Sequence, residues 1–92
     1  MIVSFRDPHA KELLESKSSR RYANIAPVAW RKLDQMEAAV TLDDLRVPPG
    51  NRLEALRGDR VGQYSIRIND KYRICFVWME DGAHDVEIVD YH

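Results

Sequence analysis

The residue types best suited to chemistry on a phosphodiester lie in the second half of this 92-residue chain. Arginines recur at Arg57, Arg60, Arg67 and Arg73, with Lys71 among them. Glu54 precedes the group, and the chain ends Asp90-Tyr91-His92. An arginine fork grips non-bridging phosphate oxygens in bidentate fashion. RNA carries its own nucleophile, the 2′-hydroxyl. An enzyme cutting it need only remove that proton, stabilise the charged transition state and protonate the leaving 5′-oxygen. Glu54 or His92 can fill the base and acid roles, and Tyr91 can donate a hydrogen bond or stack on a base. Arg60, Arg67 and Lys71 are candidates for contacts along the RNA backbone.

The charge distribution agrees with such a partner although the net charge is −1. Residues 46–73 hold seven basic side chains against three acids, Glu54, Asp59 and Asp70. Residues 79–92 hold five acids and no Lys or Arg, and residues 1–45 balance at seven of each sign. A basic stretch on a near-neutral protein can make a local phosphate-binding surface.

Other chemistries lack their motifs. There is no G-x-G-x-x-G or Walker loop for a nucleotide, no Cys/His cluster for zinc, and no ordered acidic loop for calcium. No metal and no cofactor is therefore expected. The single cysteine, Cys75, falls inside a predicted strand and reads as a packing residue. No apolar run approaches the ~20 residues that span a bilayer, and MIVSFRDP has no secretion-signal pattern, so a cytoplasmic protein without a membrane partner is expected.

The elements that must position these groups follow from periodicity. Residues 63–68, 72–78 and 84–91 alternate apolar and polar residues as half-buried strands do. Turns are predicted at Asn69-Asp70-Lys71 and Glu80-Asp81-Gly82. If the hairpins close symmetrically about residues 70 and 81, then Ile66, Ile68, Ile74, Phe76, Trp78, Val86 and Ile88 share one face. Arg67, Arg73 and Tyr91 then share the other, with Arg73 opposite Val89. A sheet covered on one side, with its cations on the open side, is the expected outcome.

Upstream, Ile2–Phe5 reads as a short strand for a sheet edge. Asp7-Pro8 predicts a capped helix start running to about Lys17, anchored by Leu13 and Leu14. A second helix is predicted from Pro27 to Val40, burying Ala29, Leu33, Met36 and Val40, with Trp30 as a packing anchor. The basic stretch Ser16–Arg21 reads as a loop, Thr41–Asp44 as a capped turn and Val47–Asn51 as a surface loop. At this size one domain, residues 1–92, is expected.

Three stretches together resemble the HigB toxins of the RelE/ParE superfamily. They are Leu53-x-x-Leu56-Arg57-Gly58-Asp59-Arg60-x-Gly62, then Ser65-Ile66-Arg67-Ile68-Asn69-Asp70-x-Tyr72-Arg73-Ile74-x-Phe76, and Val86-x-Ile88-x-Asp90-Tyr91-His92. The resemblance implies an α+β fold, two N-terminal helices on one face of a small antiparallel sheet. It implies a type II toxin that cuts messenger RNA in the ribosomal A site without a metal, leaving a 2′,3′-cyclic phosphate. A HigA-like helix-turn-helix antitoxin, the ribosome and mRNA are the implied partners.

By position the resemblance gives Arg73 the scissile phosphate, puts Arg57 where the family has a lysine that stabilises the transition state, and completes the site with Asp90, Tyr91 and His92. Glu54 stands where some family members carry a histidine. A glutamate of ordinary pKa, ~4.3, suits a base and not a protonated acid at neutral pH, so the acid–base assignment stays open. Two alternatives come from other classes: a ParE-like inhibitor of DNA gyrase that cuts nothing, and a non-catalytic protein that binds only its antitoxin.

Overall fold

The computed structural model describes residues 1–90. Helix α1 spans Pro8–Ser16 and helix α2 Ala26–Ala38, followed by strands β1 Glu54–Ala55, β2 Tyr64–Arg67, β3 Tyr72–Met79 and β4 Gly82–Asp90. The strands form one antiparallel sheet in the order β1-β2-β3-β4. Both helices lie on one face of it, so the α+β architecture is the one the sequence predicts.

Helix α1 starts where its chemistry dictates. The Asp7 carboxylate accepts the His9 amide at 2.9 Å, Pro8 opens the first turn, and Lys17 ends the helix in a left-handed conformation. Helix α2 buries Ala29, Leu33 and Met36 at helical spacing. It stops short of Val40, which is 82% exposed and not on the packed face as predicted. The cause is local: the Asp44 carboxylate accepts the amides of Val40 and Thr41, each at 2.9 Å, and draws the chain into a capped 3₁₀ turn, Leu42–Arg46. Those two bonds also hold the Asp44 pKa below the ordinary carboxylate value.

The parity expected of the strands is realised. Ile66, Ile74, Phe76 and Val86 are fully buried against Leu13, Leu33, Met36 and Leu45, and Ile68 and Ile88 nearly so. Hairpin β2–β3 closes symmetrically about residue 70. Hairpin β3–β4 does not close about residue 81: Met79 pairs with Gly82 across a two-residue turn, Glu80-Asp81, of the length tight hairpins favour. Left alone, that turn would send Val86 and Ile88 to the wrong face. A bulge prevents it, because residues 85 and 86 together face Phe76, with Asp85 at φ 54°. From Cys75↔Glu87 to Tyr72↔Asp90 the register returns to the predicted one.

The same bulge breaks up the predicted N-terminal strand. Ile2 and Phe5 make isolated parallel bridges to Ala83 and Val86 on the outer edge of β4, while the intervening Asp85 amide turns to the Ser4 hydroxyl at 2.9 Å. Two further expectations need correcting. Asn51 is completely buried, not on a surface loop; its amide donates to Gln35 Oε1 at 3.0 Å and to the Leu45 carbonyl at 3.1 Å, and its oxygen accepts from Lys32 Nζ. The second face of the sheet is also not fully open. Leu56, Ser65 and Cys75 are buried there, where the segment after β1 folds back through a bond from the Leu56 amide to the Gln63 carbonyl.

Asp7 does more than cap α1. Its other oxygen accepts the buried Tyr22 hydroxyl at 2.6 Å and lies 3.4 Å from the Ile88 amide of β4. Burial first, then the Asp7 carboxylate, push the Tyr22 pKa up to about 12 from 10.0. The folded protein therefore keeps a proton that the unfolded chain loses above pH ~10. Its contribution is intact below that pH and is lost as pH rises towards about 12. Tyr22→Phe is expected to flatten this alkaline loss in denaturant midpoints; an equal slope in both proteins contradicts the assignment.

Candidate active site

The register lines the second face with two adjacent rows of side chains. One crosses all four strands as Glu54, Ser65, Cys75 and Glu87, and the next runs Arg67, Arg73 and Val89. Directly opposed residues of an antiparallel pair point to the same side, so this face carries Glu54 at one edge and two arginines side by side. Like charges directly opposed on neighbouring strands destabilise a sheet. The Arg67–Arg73 pair therefore sets two guanidinium-bearing residues directly opposite each other.

Each arginine is held differently. The Arg73 Nη1 donates to the carbonyls of Asn69 and, at 3.1 Å, Tyr72, which fixes the half-buried side chain over the β2–β3 turn. The turn is itself set by Asn69, whose side-chain oxygen accepts the amides of Lys71 at 2.9 Å and Tyr72 at 2.8 Å. Arg67 donates to Asp70, and the guanidinium beside Asp70 holds that carboxyl below its ordinary pKa.

Arg57 is exposed and extended just before Gly58, whose φ of 63° turns the chain into the 3₁₀ segment Gly58–Arg60. Glu54, Ala55, Leu56 and Arg57 line a concavity of about 320 Å³ at the β1 edge. Arg60 points elsewhere. Its two terminal nitrogens reach Gln63 Oε1 at 3.0 Å and Glu87 Oε1 at 3.4 Å, and Arg6 approaches the other Glu87 oxygen at 3.6 Å. This Arg6–Glu87–Arg60 group, invisible in the sequence because its members are far apart in the chain, spans the face beside Cys75. Burial pushes the Cys75 thiol pKa up, as suits a packing residue.

Asp90 pairs with Tyr72, on the parity that faces the helices, and borders a concavity with Arg21, Tyr22, Tyr72 and Ile88. Lys71 Nζ lies 3.6 Å from its carboxylate and 5.4 Å from the Tyr72 ring centroid. So Arg67 and Arg73 stand together, Glu54 and Arg57 stand together at the β1 edge, and Asp90 and Lys71 meet at the ends of β4 and β3. The remaining candidates, Tyr91 and His92, lie outside the described residues. Among the described residues no three His, Cys, Asp or Glu side chains stand close enough to share a metal ion.

A family model of HigB-like toxins, described as the RelE-like toxin HigB of type II toxin–antitoxin systems, matches residues 3–92. The chain belongs to this family. It is also similar to toxin HigB-1 of Vibrio cholerae, with 38% identity over 85 residues that cover 90% of each chain. An uncharacterised protein of Haemophilus influenzae is 36% identical over 84 residues, or 89% of this chain and 83% of that one. As a HigB-like toxin the protein is one half of a toxin–antitoxin pair and so has an antitoxin partner. No helix among its described residues is long and apolar enough to cross a membrane.

Proposed function

We propose that this HigB-like toxin is a metal-free endoribonuclease of the cytoplasm that cuts messenger RNA held in the ribosomal A site, and that a HigA-like helix-turn-helix antitoxin restrains it. The observation that carries the reading is the Arg67–Arg73 pair on one sheet face, beside a row that begins with Glu54. In the proposed reaction the 2′-oxygen of the messenger attacks the adjacent phosphorus. The P–O2′ bond forms as the P–O5′ bond breaks, leaving a 2′,3′-cyclic phosphate and a free 5′-hydroxyl. One group takes the 2′-hydroxyl proton and another gives a proton to the departing 5′-oxygen; Glu54 and His92 are the candidates for these two roles. Arg73 grips the non-bridging oxygens, Arg57 adds positive charge as the transition state forms and Tyr91 completes the site, while Asp90 acts from the end of β4 beside Lys71, on the opposite parity from Arg73. Arg67 and Lys71 hold the flanking backbone, whereas Arg60 is drawn towards Glu87 and contributes less.

Acid–base groups this modest suit an enzyme whose substrate is positioned for it. Orientation on the ribosome is worth up to ~7–11 kcal/mol of barrier in favourable cases. The test is cleavage of a defined messenger, alone and on programmed ribosomes, followed by mapping of the new 5′ ends. Cuts at A-site codons, only with ribosomes, are expected. Intact messenger on the ribosome, with gyrase inhibited instead, overturns the reading in favour of a ParE-like toxin.

A further inference from the structure

A second cationic cluster, which shares Arg67 with the site above, lies on the flank of the molecule. Helix α2, the loop at Pro48–Gly50 and the end of β2 enclose a cleft of about 420 Å³. Arg31, Lys32 and Arg67 contribute its charges, with Val28, Pro48 and Gly50 among its walls. Among the described residues no carboxylate lines it. Lys32 Nζ donates to the neutral oxygen of Asn51, and Asp70 pairs with Arg67 from outside the lining. No ion pair reaches Arg31 or Lys32 among the described residues.

The cleft is built, not incidental. Asn51, fully buried, is locked by Gln35 and the Leu45 carbonyl and presents its oxygen to Lys32. The ammonium is thereby fixed at the cleft instead of swinging free in solvent. Burial first, and then the guanidinium groups of Arg31 and Arg67, hold the Lys32 pKa below the ordinary lysine value. Crowding cations in this way has a cost that an anion removes. Arg67 belongs to both regions, because it is the direct cross-strand partner of Arg73.

We propose that Arg31 and Lys32, with Arg67, bind the phosphodiester backbone of RNA in this cleft. They thereby extend the cationic surface from Arg73 around the end of β2 to helix α2. The inference rests on the nuclease reading only for its choice of RNA as the polyanion. Two RNAs present the same chemistry, the messenger next to the cut and the ribosomal RNA around it.

The test is the double variant Arg31→Gln/Lys32→Gln, in which the glutamine at 32 can still meet Asn51. Binding to a short fluorescein-labelled single-stranded oligoribonucleotide is measured by anisotropy over a range of salt. Binding to small ribosomal subunits without messenger is measured by co-sedimentation. Each single-strand phosphate contact contributes ~0.7 to the slope of log affinity against log salt, so losing two lowers the slope by ~1.4 and weakens binding on the order of tenfold. A loss confined to the oligoribonucleotide supports the messenger, and one confined to the subunits supports ribosomal RNA.

Arg31→Gln alone, at an exposed position, should lower the slope by ~0.7 and keeps the test valid if the double variant folds poorly. Lys11→Gln on helix α1 should leave it unchanged. An unchanged salt slope for the oligoribonucleotide together with unchanged co-sedimentation with the subunits overturns the proposal, as does unchanged RNA binding with weakened binding of the antitoxin. Normal RNA binding by the unsubstituted protein without messenger cleavage would instead overturn the nuclease reading and leave the cleft standing.

Discussion

Replacing Arg73 by alanine is expected to lower messenger cleavage on the ribosome about 10²–10³-fold, the loss typical when one preorganised donor to a developing anion is removed. The effect on cleavage should far exceed that on stability, although the variant also loses the Arg73 bonds to the Asn69 and Tyr72 carbonyls. Arg73 lies half-buried on the sheet face away from the helices, and its neighbours Ile74 and Tyr72 supply the packing on the other side. The melting temperature should therefore fall by only about 4–8 °C, the shift that ~1 kcal/mol gives in a domain of this size. Arg73→Lys should recover only part of the loss, because an ammonium is a point charge that cannot offer the two parallel donors of a guanidinium. Arg60→Ala makes the useful contrast. Among the described residues it leaves Glu87 the longer Arg6 contact alone, so it should disturb stability more than cleavage. Single-turnover rates on programmed ribosomes, paired with thermal melts, separate the two. Full cleavage by Arg73→Ala removes the proposed phosphate grip.

The largest effect on stability is expected at Asp7. One carboxylate caps α1, accepts the buried hydroxyl of Tyr22 and approaches the β4 amide of Ile88. Asp7→Ala loses the cap, worth ~1 kcal/mol, and leaves the buried Tyr22 hydroxyl with the long contact to the Ile88 carbonyl at 3.5 Å in place of its strong acceptor, costing ~1–3 kcal/mol more. A total of ~2–4 kcal/mol corresponds to a melting temperature lower by roughly 10–25 °C in a domain of this size. Asp7→Asn keeps an acceptor for the cap and should recover about half. Denaturant unfolding measures both. A loss below ~1 kcal/mol for the alanine variant would mean that the helices and β4 are joined mainly by apolar contact.

What was legible in the sequence follows from the range of each interaction. Strand parity is a local signal, and Ile66, Ile74 and Phe76 are buried where alternation puts them. The Asp7-Pro8 helix start is equally local. The bulge at Asp85 is different: it offsets the two-residue turn at Glu80-Asp81, and neither departure alone would have kept Val86 inside. Asn51 looked like loop punctuation beside two prolines, yet it is a buried polar hub because Lys32 and Gln35 come from a helix sixteen or more residues away. Arg60 looked as accessible as Arg67, and only Glu87, twenty-seven residues on, distinguishes them. The Arg67–Arg73 juxtaposition could be read from the predicted symmetric hairpin, because a turn closing about residue 70 pairs the two positions. The basic cleft was not, because helical periodicity shows only that Arg31 and Lys32 are polar, not what faces them across a cleft.

The most direct measurement replaces one atom of the substrate. A messenger carrying a single 2′-deoxynucleotide immediately 5′ of the scissile phosphate is presented to the toxin on programmed ribosomes, beside the all-ribose messenger. If the 2′-oxygen is the nucleophile, the all-ribose messenger is cut to a 2′,3′-cyclic phosphate and the substituted one stays intact at that bond. Cleavage of the deoxy-substituted bond at a comparable rate would contradict the account, since some other nucleophile would then be attacking the phosphorus.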